Sequence, residues 1–213
     1  AKVRRSARTG FVMRRYTKTA VLACVAAVLL GGCGSAPGSV GADTIVLEKG
    51  GGLTYYLVGD FGKDYYDLSE LGAMAEEEAD AFNGTAGEGS GRVSVERVEL
   101  LENDPERVSV VYRFDGGGSF SGFTGKSFFY GTVQEAINLG YSLEGILESV
   151  EDGTVWTWEQ ILQGGKKMLV ITDARAVLCF PSGVTHMSRG LSLAEDGSVD
   201  LSDAEETAYI LLK

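Results

Sequence analysis

The feature that most constrains this chain is a short apolar run near its start. The stretch from Arg14 to Lys18 carries three basic residues, an 11-residue apolar run from Ala20 to Leu30 follows, and Gly31-Gly32-Cys33 comes next. A basic start, a short apolar segment and small residues before a cysteine are typical of an export signal that is removed from the mature protein. A membrane-spanning helix needs about 20 apolar residues. We therefore expect residues 1–32 to be a signal peptide outside the folded domain.

The residues Leu30-Gly31-Gly32-Cys33 resemble a lipobox, the processing site of bacterial lipoproteins. In that family the cysteine receives a diacylglyceryl group, and two acyl chains hold a protein stably on a membrane. The resemblance implies that Cys33 is the lipidation site and that the protein lies at the extracytoplasmic face of the cell membrane. An ordinary signal peptide with a chance cysteine is the alternative. We also expect translation to start at Met13, because residues 13–32 alone have signal-peptide proportions.

Removal of the signal sets the domain organisation. The remaining 181 residues begin with the lipidated Cys33 and a small-residue linker, over residues 33–43. The eight small residues from Gly34 to Gly41 are predicted to form a flexible chain that reaches about 15 Å, so the domain is expected close to the membrane. Residues 44–213 are enough for a single domain that needs neither a disulfide nor a metal to fold.

The charge of the mature chain excludes one class of partner. Seven of the 19 basic residues precede Cys33, which leaves 12 basic and 30 acidic residues and a formal net charge of −18. Such a chain repels phosphate backbones, so we expect no nucleic-acid partner.

Few residues offer catalytic or cofactor chemistry. Cys24 lies in the apolar run, so Cys179 is the one cysteine left for the domain, and we interpret it as a small apolar residue on a strand. The single histidine, His186, is interpreted as a packed strand residue. Gly125-Lys126-Ser127 resembles the end of a phosphate-binding loop, but no helix is expected after it. The sequence therefore predicts no cofactor and no metal.

Two clusters of acidic residues are interpreted as structural features rather than as cation sites. Glu76, Glu77, Glu78 and Asp80 lie on one helical stretch and point around it rather than converging, which indicates a solvated face. The Asp196-x-Ser198-x-Asp200 spacing lacks the glycine and the closing glutamate of a calcium loop, so it indicates a hairpin turn.

Local patterns predict an α+β fold with a mostly antiparallel sheet, one long helix and one or two short helices. Strand-like runs at 44–48 and 53–58, and again at 92–101 and 107–114, are joined by turn residues as in hairpins. Asp67 caps a helix predicted over residues 68–82, and Asn83-Gly84 is a stop signal.

The second half is predicted to contain one short helix and several short strands. A Thr132-x-x-Glu135 capping box predicts a helix through Leu139. Strands are expected at 145–150 and 154–156, with a helical turn over 156–162 as the alternative to the latter. Short strands are predicted at 167–172, 176–180, 184–188, 191–194 and 207–212.

The stretch from Gly116 to Tyr130 is rich in glycine and aromatic residues. It is predicted to be a loop. Its rings either fold back onto the core, which we favour, or form a contact surface. The candidate contact residues are Phe120, Phe123, Phe128, Phe129 and Tyr130.

Three stretches resemble small lipoproteins of unknown function from Firmicutes: 64–68, 129–141 and 208–213. The resemblance implies a lipid-anchored location and a single domain, and it carries no catalytic residues.

These observations favour a non-enzymatic envelope protein that binds a small ligand or another envelope protein. The alternative is a hydrolase that uses a pair of carboxylates on an envelope polymer or peptide, because 30 acidic residues make such pairs available.

Overall fold

A computed structural model describes residues 41–85 and 92–213. The predicted signal peptide, Cys33 and most of the linker lie outside the described residues. Within the described ranges, no helix is long and apolar enough to cross a membrane.

The described residues form eleven strands and four helices. The strands are β1 (Thr44–Leu47), β2 (Leu53–Asp60), β3 (Val93–Leu101), β4 (Asp104–Phe114), β5 (Phe128–Thr132), β6 (Leu147–Ser149), β7 (Met168–Thr172), β8 (Val177–Cys179), β9 (Val184–Ser188), β10 (Val199–Asp200) and β11 (Ala208–Leu212). The helices are α1 (Leu68–Thr85), α2 (Gly117–Thr124), α3 (Val133–Asn138) and α4 (Trp158–Gln163).

The strands form two sheets. The first has the order β10-β8-β1-β2-β4-β3 and the second the order β5-β7-β11-β9-β6. Pairing is antiparallel except between β1 and β8. The predicted α+β class with mostly antiparallel strands is confirmed, although the strands form two sheets instead of one.

The second sheet is buried on both faces. In β7, Val170 packs in a core shared with the first sheet, whereas Leu169 and Ile171 pack on the opposite face with α3 and α4. In β11, Ile210 and Leu211 alternate in the same way. Because side chains alternate along a strand, these apolar runs supply two cores at once.

Helix α1 is described through Thr85, three residues beyond its predicted end at Phe82. Asp67 caps it, since the Glu70 amide donates to Asp67 Oδ1 at 2.9 Å. Ala75 and Ala79 face the shared core. Asn83, predicted as a stop, instead bonds both the amide and the carbonyl of Val93 at 3.1 and 2.8 Å. This pair of bonds ties the last turn of α1 to the first residue of β3.

The prediction of a loop after Gly116 is wrong, because residues 117–124 form α2. Glycine disfavours a helix, but α2 carries the Phe120 ring into the core, where it is 1% exposed. Burying a phenylalanine contributes about 1.5–3 kcal/mol. The three edge-on ring contacts of Phe120 add about 0.5–1.5 kcal/mol each. Together these match or exceed the propensity cost of up to about 1 kcal/mol for each of the three glycines. Gly125 ends the helix with φ of 71°.

Three other segments differ from or refine the predictions. The predicted strand at 191–194 forms only an isolated bridge between Leu193 and Val199. The helical alternative for 156–162 is correct, since Thr157 caps α4 with a full capping box. The capping box at Thr132 is confirmed.

His186 lies on β9 with its ring 5.1 Å from that of Trp156. Its Nδ1 atom is buried without a hydrogen-bond partner. Burial lowers the pKa of this imidazole from its ordinary 6.5, and Lys167 lowers it further, against the opposing effect of Asp152 and Glu151.

Adjacent glycines of α2 provide a matched test of its packing. A Cβ at Gly117 would lie 2.7 Å from the Phe128 carbonyl oxygen, whereas one at Gly118 meets nothing within 4 Å. Gly117→Ala should destabilise the protein, by about 1–3 kcal/mol as for other overpacked sites. Gly118→Ala should be neutral or stabilise by up to about 1 kcal/mol, because alanine favours helix. Urea unfolding followed by circular dichroism measures both, and equal effects would contradict the assigned packing.

The single histidine allows a direct pH test. Because the pKa of His186 is lowered in the folded state, the unfolded chain binds the proton more readily. The free energy of unfolding should therefore decrease as pH falls below 6.5. Its imidazole NMR signal should titrate with a midpoint below 6.5 in the folded protein and near 6.5 in urea. A folded midpoint at or above the urea value would contradict the burial of this ring.

Candidate functional site

The five aromatic residues predicted as a candidate contact surface do not share one exposed face. Phe120 and Phe128 are buried in the shared core. Phe129 packs on the other side of the second sheet, with its ring 5.6 Å from that of Tyr141. The Tyr130 hydroxyl donates to the Glu48 carbonyl oxygen at 3.2 Å. Within this set, Phe120 and Phe123 line a surface groove.

The acidic residues of α1 are all exposed and follow the helix surface. Three of them, Glu70, Glu76 and Glu78, each line a different surface groove, so they do not converge on one site. In the described part of the chain, no three His, Cys, Asp or Glu side chains come together to hold a metal ion. Asp196 accepts bonds from the amide and the hydroxyl of Ser198, at 3.0 and 2.6 Å, which is the geometry of a turn.

Cys179 is a free, half-buried cysteine on β8. Burial raises the pKa of its thiol, and the charge of Asp196 raises it further. Since the thiolate is the reactive form, neither effect activates this residue as a nucleophile.

Two grooves open beside strand β2. The first, the polar groove, has a volume of about 400 Å³. It combines charged side chains, tyrosines and rings from α2: its lining includes Asp43, Glu78, Lys126, Arg175, Tyr55, Tyr112, Phe120 and Phe123.

Three polar groups of the polar groove, those of Asp43, Tyr55 and Arg175, are already engaged by the protein. Asp43 accepts from the Tyr55 hydroxyl at 3.0 Å and from the Val58 amide at 2.9 Å. Arg175 donates to the carbonyl oxygens of Glu205 and Glu206 at 2.9 and 3.3 Å. These bonds fix the wall of the groove.

The tyrosines of the polar groove remain protonated. Burial raises the pKa of Tyr55 well above its ordinary range, and the neighbouring Asp43 raises it further. Burial also raises the pKa of Tyr112, with a contribution from the charge of Glu78. Neither phenol is therefore suited to act as a base near neutral pH.

The second groove, which we call the aromatic groove, has a volume of about 380 Å³. It adjoins the polar groove, since Leu57 lines both. Its lining is mainly apolar and consists of Leu57, Gly59, Asp60, Phe61, Tyr65, Tyr66, Asp67, Glu70, Leu71, Met74, Val108 and Val110.

Exposed apolar side chains are concentrated in the aromatic groove. Ten large hydrophobic side chains are exposed in the described part of the chain, and four of them line this groove: Leu57, Tyr65, Tyr66 and Met74. Tyr65 is 76% exposed and Met74 is 61% exposed. Clustered exposed apolar residues mark interaction sites more often than scattered ones do.

Three rings form one wall of the aromatic groove. The rings of Phe61 and Tyr66 stack with centroids 5.2 Å apart, and the Tyr65 ring meets Tyr66 edge-on at 4.9 Å. The loop that carries them is held at both ends. The Phe61 amide bonds the Glu106 carbonyl, and the Asp67 side chain caps α1.

Gly41, the first residue that the structure describes, lies close to this wall. Arg107 Nη1 donates to the Gly41 carbonyl oxygen at 2.7 Å, and Arg107 lies opposite Asp60 in the β2–β4 register. Asp60 lines the aromatic groove. Gly41 therefore lies near the groove.

The aromatic groove is not among the features predicted from the sequence. Phe61, Tyr65 and Tyr66 are three aromatic residues within six positions, between a strand and a helix cap. This local density of aromatic residues is a sequence pattern that could have indicated an aromatic contact site. The other wall comes from Leu57 and Met74, which are far apart in sequence and meet only in the folded chain.

Comparison with known proteins adds no assignment. No protein-family model, no curated protein and no solved structure matches this chain.

Proposed function

We propose that this protein is a lipid-anchored, extracytoplasmic binding protein that holds a small ligand in the aromatic groove. The observation that carries the proposal is the convergence of four exposed apolar side chains on one groove of about 380 Å³. That volume lies at the lower end of the range for small-molecule sites, about 300–1,000 Å³.

The lipid anchor is supported by the sequence before Cys33 and by the resemblance to small Firmicutes lipoproteins. The position of Gly41 beside the groove adds a spatial argument. Eight linker residues span about 15 Å, so a ligand in the aromatic groove would be held near the membrane surface.

A carboxylate-dependent hydrolase has less support. A general acid of this kind needs a raised carboxyl pKa. The four described carboxyl groups with a shifted pKa all shift downward, because each accepts hydrogen bonds from nearby residues: Glu135, Asp152, Asp196 and Asp200. Asp43 in the polar groove is committed to Tyr55 and Val58. We therefore favour binding over catalysis.

The anchor can be tested by replacing the lipidation site. Cys33→Ala should abolish the mass increase expected from a diacylglyceryl group and should release the protein from the membrane fraction. Mass spectrometry of the purified protein and fractionation of cells measure the two effects. Cys179→Ala is the control and should change neither. An unmodified Cys33 in the membrane-bound wild type would contradict the proposal.

The groove can be tested by filling it. Gly59 lines the aromatic groove, and a Cβ there meets nothing within 4 Å. Gly59→Trp should therefore occupy the groove without disturbing the backbone. Gly50→Trp is a matched control in the β1–β2 turn, where a Cβ is equally free.

Three probes of nearly equal shape and different charge cover the ligand classes: benzyltrimethylammonium, 2-methyl-1-phenylpropan-2-ol and phenylmethanesulfonate. Each is titrated by NMR into the full chain in a non-ionic detergent, with empty micelles as blank. At least one should bind the wild type and Gly50→Trp, with a dissociation constant of about 1 mM or tighter for a ligand this small. Gly59→Trp should lose that binding. If Gly59→Trp binds a probe as tightly as Gly50→Trp does, or if no probe binds the wild type, the aromatic groove is not the ligand site.

A further inference from the structure

The aromatic groove has a distinctive charge pattern. Its lining contains three carboxylates, Asp60, Asp67 and Glu70, and no lysine or arginine. Among the described residues, no ion pair engages any of these three carboxylates. The groove is therefore negative as well as apolar.

The aromatic wall favours the same sign of ligand charge. The face of an aromatic ring carries a negative quadrupole that attracts cations. Tyr65, which is 76% exposed, offers such a ring. It meets Tyr66 edge-on at 4.9 Å, and Tyr66 and Phe61 cover one face of each other by stacking at 5.2 Å. Aromatic rings together with carboxylates are the groups that bind organic ammonium ions.

The other ligand classes fit less well. An anion would be repelled by the three carboxylates and by the acidic domain around them. A neutral apolar ligand would remove Asp60 and Glu70 from water without giving them a partner, which costs free energy, whereas Asp67 already accepts from the Glu70 amide. A cation with an apolar body meets both demands, because its charge pairs with the carboxylates while its body covers Leu57 and Met74.

We infer that the aromatic groove binds a small organic cation, an ammonium group attached to an apolar body. The volume of about 380 Å³ and the open mouth suit one small molecule. This inference rests on the proposed function and specifies its ligand class.

The three probes of equal shape test the charge directly. Benzyltrimethylammonium should bind most tightly, and the neutral alcohol about fivefold or more weakly, as expected when one exposed cation–π contact and the carboxylate attraction are lost. Phenylmethanesulfonate should not bind measurably. Raising the salt concentration should weaken binding of the cation, since mobile ions screen exposed charges.

Variants distinguish the contribution of the aromatic rings to binding from that of the carboxylates. Tyr65→Ala should weaken binding of the cation about threefold to fivefold. Glu70→Gln should weaken it and also reduce its dependence on salt. Trp158→Ala and Glu159→Gln are matched controls, because both residues are exposed on α4 outside the groove, and neither should change binding.

The outcomes distinguish this inference from the proposed function. If the alcohol or the sulfonate binds the wild type as tightly as the cation and Gly59→Trp abolishes that binding, the groove is a ligand site but its selectivity for cations is overturned. If an acetylated tetralysine peptide binds more tightly than the small cation and Tyr65→Ala weakens it, the occupant is a basic protein segment and the small-molecule assignment is overturned. If no probe binds, both proposals fail.

Discussion

The buried ring of Phe120 joins the parts of this fold. It lies 5.4 and 5.3 Å from the rings of Tyr55 and Phe114 in the first sheet, and 5.1 Å from that of Phe128 in the second. Edge-on contacts of this kind add about 0.5–1.5 kcal/mol each to the area that the rings bury. Helix α2 places this ring in the core, and the burial of the ring stabilises a helix in a segment that is rich in glycine.

The same packing determines where the grooves open. Phe120 and Phe123 on α2 and Tyr112 on β4 form part of the polar groove. Helix α1 and the loop before it then enclose the aromatic groove beyond Leu57. In the polar groove, Asp43, Tyr55 and Arg175 are bonded to the protein, whereas four exposed apolar side chains line the aromatic groove. This contrast is why the aromatic groove is the better candidate for a ligand site.

Elements whose signals are local could be predicted from the sequence. The capping box at Thr132 and the Asp67 cap of α1 depend on residues within one helical turn of each other. Helix α2 could not be predicted in this way, because its stability comes from rings on both sheets rather than from its own glycines. Asn83, interpreted from the sequence as a stop signal, also bonds Val93 at the start of β3, which is a contact that no local pattern predicts.

The sequence alone determined the α+β class, the hairpins, the acidic charge and the expectation of an anchor at Cys33, because each follows from composition or from neighbours along the chain. Only the tertiary structure decided that there are two sheets, that β1 pairs in parallel with β8, and that Leu57, Tyr65 and Met74 share a groove. Those features depend on contacts between residues distant in sequence, and a local pattern carries no information about which distant partners will meet.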